Sequence, residues 1–123
     1  MQVMDGQNRI HAEQNKGQFN VLTASAELEA NQLVTHANNS GAAMVIKLPP
    51  VAEAAGKIYS IYTVAIAGAS GVDVIDRGDA LYSATEGSTA IDVSSAVAID
   101  TAGDFLCMYS NGISWICLGF NIA

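Results

Sequence analysis

Residues 57–68 read KIYSIYTVAIAG. β-branched and aromatic residues dominate this run, and Ile58, Tyr62, Val64 and Ile66 fall on one face of an extended chain, so it is expected to be a central β-strand. Shorter runs of the same kind lie on both sides of it: FNVLTA (19–24), NQLVTH (31–36), AAMVIKL (42–48), GVDVID (71–76), STAIDV (88–93), SSAVAI (94–99), DFLCMYS (104–110) and SWICLGF (114–120). Most are bounded by Gly, Asn, Ser or Asp, the residues that turn a chain. The expected fold is all-β: an antiparallel sandwich or barrel of about eight or nine short strands spaced roughly 8 to 12 residues apart. Two stretches have helical character, ASAELEANQ (24–32) and VAEAAG (51–56), the second following Pro49-Pro50 and ending at Gly56. Each is expected to make a turn or two of helix.

The first 18 residues, MQVMDGQNRIHAEQNKGQ, carry few apolar positions. They are expected to form an extended arm that becomes ordered on meeting a neighbour, with Arg9, Ile10 and His11 as its contact residues. Residues 19–123 then form a single β-domain. A chain of 123 residues with 50% hydrophobic and 14% charged residues is long enough for one core and calls for no second domain. The mean hydropathy of +0.28 is high, yet no run approaches the roughly 18 apolar residues of a membrane span. The apolar surplus is therefore expected between subunits. The N-terminus lacks the charged-then-apolar layout of a signal peptide, which points to synthesis in a cytoplasm. Five basic against twelve acidic residues give a net charge of −7, which disfavours phosphate backbones and anionic lipid, so neither nucleic acid nor membrane is an expected partner.

Residues 107–120, CMYSNGISWICLGF, hold the only Trp and both Cys around a Ser-Asn-Gly turn. Cys107 and Cys117 are too far apart for a CxxC unit, and no His or second Cys pair stands near them to complete a zinc shell. A three-residue loop, Asn111–Ile113, would set Ser110 against Ser114 and Cys107 against Cys117, where a cross-strand disulfide is conceivable. The preferred reading is two reduced, apolar core residues beside a core or interface anchor, Trp115. His11 and His36 stand in polar company and are expected to be solvated. No G-x-S-x-G elbow occurs, and GASG (68–71) reads as a hairpin turn. Asp73, Asp76, Asp79, Asp92, Asp100 and Asp104 fit no calcium-loop spacing and read as turn and surface residues. RGD (77–79) reads as the turn after GVDVI. No catalytic constellation, metal site or cofactor is expected.

From Leu48 onward, LPPVAEAAGKIYSIYTV, GASGVDVID and GDFLCMYSNGISW resemble a β-domain of tailed bacteriophages that occurs in head decoration (cement) proteins and in tail-fibre tips. The resemblance covers about two-thirds of the chain. It assigns Leu48 and Pro49 to the end of one strand, Gly56, Lys57 and Tyr59 to the start of the next, and Gly71, Val72 and Val74 to a hairpin. Gly103 and Asp104 then begin the penultimate strand, and Asn111, Gly112 and Trp115 make the last hairpin. Tyr59 and Tyr62, with Trp115, Cys107 and Cys117, are expected to be structural. The chain departs from the pattern at Ile116-Cys117, where a further aromatic is common, and in a longer polar segment over 77–90. The resemblance implies a homotrimer on the outer surface of a phage head, with the major capsid protein as partner. A short arm from an apparent initiator Met1, in place of a long shaft, favours a free-standing decoration protein. The alternative is a carbohydrate- or receptor-binding fibre tip.

Overall fold

A computed structural model of the chain describes residues 19–39, 41–66, 71–80, 85–86 and 89–123. The expected arm, its contact residues Arg9, Ile10 and His11, and most of the GASG turn lie outside the described residues. Among those described the fold is all-β, without helix. The strands are β1 (Phe19–Leu22), β2 (Ala26–Glu27), β3 (Val34–Asn38), β4 (Met44–Lys47), β5 (Ile58–Ala65), β6 (Val72–Ile75), β7 (Thr85–Glu86), β8 (Thr89–Ala90), β9 (Val97–Ala98), β10 (Phe105–Ser110) and β11 (Trp115–Asn121). Nine of them form two sheets, ordered β1-β3-β5-β10-β11 and β2-β4-β6-β9, while β7 and β8 pair as a separate ribbon.

Both sheets are mixed, where the sequence suggested antiparallel pairing throughout. The pairs β1–β3, β3–β5, β2–β4 and β4–β6 are parallel, and only β5–β10, β10–β11 and β6–β9 are antiparallel in the two main sheets. The chain alternates between the sheets over β1 to β6, odd-numbered strands entering one and even-numbered strands the other. A parallel pair needs a crossover, and here each crossover is itself a strand of the opposite sheet. The turns between short strands are thus corners between layers, although their residues are those of hairpins.

One cluster of buried side chains joins the layers: Tyr59, Ile61, Leu106, Met108 and Trp115 from the larger sheet, and Met44, Ile46, Val72, Val74 and Val97 from the smaller. β5 is the middle strand of the larger sheet, as its composition suggested. Its buried face is Tyr59, Ile61 and Thr63, leaving Ile58, Tyr62 and Val64 exposed. Both faces are apolar, so burial is decided by where the polar atoms find partners. Tyr59 donates its hydroxyl to the Ala30 carbonyl at 2.7 Å, and Thr63 donates to the Ile99 carbonyl at 2.7 Å. Satisfied in this way, both can be buried.

The two stretches of helical character form other structures. In 24–32, Ala26 and Glu27 pair in parallel with Ile46 and Lys47, and the chain then turns at Ala30–Asn31. There the Gln32 N–H donates to the Glu29 carbonyl and the Glu29 N–H to Gln32 Oε1, which closes the turn locally. Residues 51–56 make a single tight turn, with the Ala54 N–H on the Pro50 carbonyl and Gly56 left-handed at φ 79°. Ala55 bridges to Ser110 directly after this turn, so the chain is drawn into the larger sheet before a second helical turn can form.

Candidate interaction surface

Phe19, Val21, Val34, Ile58, Tyr62, Val64, Phe105 and Leu118 are each 38% to 54% exposed, and all belong to the larger sheet. Register brings six of them together, and Val64 and Leu118 sit at irregularities of β5 and β11. His36 faces Val21 on one side and Tyr62 on the other, and Tyr62 in turn faces Phe105, so one row crosses four strands. A second row runs Phe19, Val34, Ser60, Cys107, Gly119, and a third runs Ile58, Tyr109, Ile116. Alternation turns all of these side chains away from the core. The Phe19 and His36 rings meet edge-on with centroids 4.9 Å apart, and the Tyr62 ring lies 5.7 Å beyond His36. His36 is therefore half-buried between aromatic rings, not solvated. Its Asn-rich sequence neighbours, Asn38 and Asn39, say nothing of the strands that flank it in space.

None of the residues in β1, β3, β5, β10 or β11 is Asp, Glu, Lys or Arg. The smaller sheet presents a different surface. Lys47 and Glu27 are 3.8 Å apart on it, Arg77 reaches Glu27 at 3.7 Å, and Asp73 is half-buried. Burial, and then the neighbouring Asp100 carboxylate, push the Asp73 carboxyl above its ordinary range. Among the described strands, charge is thus segregated to the smaller sheet, and the strands of the larger sheet present an uncharged, largely apolar face.

The eight exposed side chains amount to on the order of 700 Å², more than the few hundred Å² of a usual monomer patch and near the roughly 800 Å² that each partner gives to a standard interface. Sequence reading missed Phe19, Val21, Val34, His36 and Phe105 as members of this face. The available signal was the absence of a polar face in 58–65, which is unusual for a strand that meets solvent on one side.

The terminal hairpin corrects the expected register. Its loop has four residues, Asn111–Ser114, and Ser110 pairs with Trp115. Asn111 fixes this length by accepting at Oδ1 from the N–H groups of Ile113 and Ser114, at 2.9 and 2.8 Å. A bulge between Cys107 and Met108 shifts the register again, so Cys107 faces Gly119 and Met108 faces Cys117. Cys107 belongs to the apolar outer face, where it accepts a hydrogen bond from Ser60 Oγ at 3.5 Å, while Cys117 is buried. Both are thiols. Trp115 is 1% exposed and meets Tyr59 edge-on at 5.5 Å. Burial raises the Tyr59 hydroxyl to about 12. Tyr62, grouped with these residues from the sequence, lies on the exposed face instead.

The RGD segment is engaged within the domain. Arg77 donates to the carbonyls of Leu48 and Leu28 at 2.9 and 2.6 Å, and Asp79 accepts from the Val51 N–H at 2.9 Å. Gly78 takes φ 74° between them. An open cleft of about 650 Å³ borders Arg77, lined also by Glu29, Asn31, Pro50, Glu53 and Lys57. It brings the carboxylates of Glu29 and Glu53 together with the cations of Lys57 and Arg77. Among the described residues, no three His, Cys, Asp or Glu side chains gather as a metal site would require. Comparison of the chain with protein-family models, curated proteins and solved structures returned no match.

Proposed function

We propose that the chain is a structural virion protein, a decoration (cement) protein that binds the outer surface of a phage head as a homotrimer and stabilises it. The observation that carries this reading is the uncharged, apolar outer face of the five-stranded sheet, which holds too much exposed apolar surface for a chain that works alone. Such a face is suited to burial in a permanent assembly, where loss of apolar area supplies the binding free energy. The charged side, with Glu27, Asp73 and Asp100, keeps the particle surface hydrated. The resemblance over Leu48–Val64, Gly68–Asp76 and Gly103–Trp115 points the same way, to a compact two-layer sandwich placed on the shell. The partners in this reading are the major capsid protein and other copies of the chain, and nucleic acid and membrane are not among them. The fibre-tip alternative draws less support, because Trp115, the natural platform for stacking a sugar, is buried against Tyr59.

Cement acts by mass action: it binds the assembled shell and not its separated subunits, and so adds its binding free energy to the shell's stability. The test is to heat full heads with and without the protein and follow DNA release. Release at a lower temperature from undecorated heads supports the reading, and equal release temperatures overturn it.

A further inference from the structure

We propose that Asn111–Gly112 is a deamidation site that the terminal hairpin holds shut, and that Ser110 Oγ is the group that keeps it so.

Asn111 is the one asparagine of the chain that precedes a glycine. Deamidation begins when the backbone nitrogen of the following residue loses its proton and attacks the side-chain amide. Here a bond forms between Gly112 N and Asn111 Cγ, the Cγ–Nδ2 bond breaks, and Nδ2 leaves as ammonia with the proton that Gly112 gave up to solvent. The five-membered imide then takes up one water. Opening at Cγ gives aspartate, and opening at the backbone carbonyl gives an isoaspartyl link, in which the main chain runs through Cβ and Cγ. Gly112 has no Cβ to hinder ring closure, and Asn111 is exposed to solvent base.

The hairpin opposes the first step. The Gly112 N–H donates to Ser110 Oγ at 3.0 Å, and Ser110, fully buried, donates its only hydroxyl proton to the Val51 carbonyl. A Gly112 nitrogen stripped of its proton would turn its lone pair toward an oxygen with no proton to offer. Turning the hydroxyl over to that nitrogen would take the donor away from a buried carbonyl. Ser110 is also pinned by its backbone: its carbonyl accepts from the Gly56 N–H at 2.8 Å, and its N–H donates to the Lys57 carbonyl at 3.4 Å.

The same loop favours the second step. Asn111 Oδ1 accepts from the N–H groups of Ile113 and Ser114 and from Ser114 Oγ, at 2.9, 2.8 and 3.2 Å. Negative charge collects on this oxygen as nitrogen adds to Cγ, and donors already aimed at it act as they do in an oxyanion hole. Restraint and activation therefore fall on different atoms, and loss of Ser110 Oγ removes the first while leaving the second in place.

The two products differ in what the hairpin accepts. Aspartate at position 111 keeps an Oδ1 for the same three donors. The isoaspartyl link adds a methylene to the main chain of a loop whose length sets Ser110 against Trp115, so it disrupts that pairing. An isoaspartyl hairpin cannot close again as it was.

The experiment incubates the full chain in mildly alkaline buffer and follows residue 111 by peptide mapping that separates the asparagine, aspartate and isoaspartyl forms. The samples are the parent, the parent in urea, Ser110→Ala, Ser110→Cys and Ser110→Thr. Ser110→Cys fills a similar volume with a weak acceptor and guards against Ser110→Ala failing to fold, while Ser110→Thr restores the hydroxyl. Emission of Trp115, which is buried, reports whether each sample stays folded. The folded parent is expected to react on the order of ten-fold more slowly than the parent in urea, or slower still. Folded Ser110→Ala and Ser110→Cys should react about ten-fold faster than the folded parent, the weight of one hydrogen bond. Ser110→Thr should match the parent. A folded parent that reacts as fast as the chain in urea would end the claim of protection. Folded Ala and Cys variants no faster than the parent, acceleration that only tracks the loss of folded emission, or a threonine variant as fast as the alanine one would each remove Ser110 as the restraining group.

Discussion

Cys107 and Cys117 project from opposite faces of the hairpin formed by β10 and β11, the first opposite Gly119 and the second opposite Met108. A strand sends neighbouring side chains to opposite sides, so the four-residue loop and the bulge together separate two thiols that a simpler hairpin would place face to face. The hairpin is an anchoring element of the core, with Trp115 as its largest buried group.

The thiols should therefore react independently. Under native conditions a thiol reagent is expected to modify Cys107 quickly and Cys117 only on unfolding, with no intramolecular disulfide after mild oxidation. Peptide mapping by mass spectrometry reads both results. A Cys107–Cys117 crosslinked peptide from the monomer would show that the register is wrong.

Trp115→Ala should cost about 3 to 5 kcal/mol in chemical denaturation, because it empties the centre of the core beside Tyr59. Trp115→Phe should cost less, since the indole N–H has no hydrogen-bond partner to lose. Cys117→Ala is expected at about 1 to 2 kcal/mol, and Cys107→Ala within about 0.5 kcal/mol of the parent. Equal losses at Trp115 and Cys107 would contradict the assignment of inner and outer faces.

Alkaline stability depends on Tyr59. Its hydroxyl is raised to about 12 by burial, against about 10 in an unfolded chain. The unfolded state loses its proton first, so stability is intact below pH 10 and falls as pH rises from about 10 to 12. Tyr59→Phe should be less stable at pH 7 by about 1 kcal/mol, through loss of the bond to the Ala30 carbonyl. It should also lack the parent's additional decline above pH 10. Parallel stability curves for the two proteins between pH 7 and 12 would exclude Tyr59 as the titrating group.

Asp73 provides the acid counterpart. A carboxyl raised in the folded state by burial, and then by Asp100, contributes stability below its unfolded value and loses it as pH rises through the folded one. Asp73→Asn is therefore expected to melt above the parent at pH 7, with the difference closing toward pH 3. Thermal denaturation at both values measures it, and a variant that melts lower at pH 7 would refute the assignment.

Much of the strand content was legible because β-branched and aromatic runs such as Lys57–Ala65 are interrupted by turn residues, and that pattern is local. The pairing was not. Val34 lies in parallel beside Ser60 because β4 crosses to the other sheet between them, and turn residues in the sequence look the same whether they close a hairpin or a corner between layers. The inner face of β5 was also hidden, since it depends on Ala30 and Ile99 supplying distant acceptors for Tyr59 and Thr63. The interaction surface escaped for a related reason: His36 gains its aromatic setting from Phe19 and Tyr62, 17 and 26 residues away in sequence.

The outer face of the larger sheet is expected to be covered when the protein does its work. Hydroxyl-radical footprinting measures this directly by comparing oxidation of Phe19, Tyr62 and Phe105 in the dilute free chain with oxidation of the same residues on decorated heads. Strong protection of all three on the heads, with Ile113 at the hairpin tip as an exposed reference on the same chain, is the predicted result. Equal labelling of Phe19, Tyr62 and Phe105 in the two samples would show that this face stays open on the head.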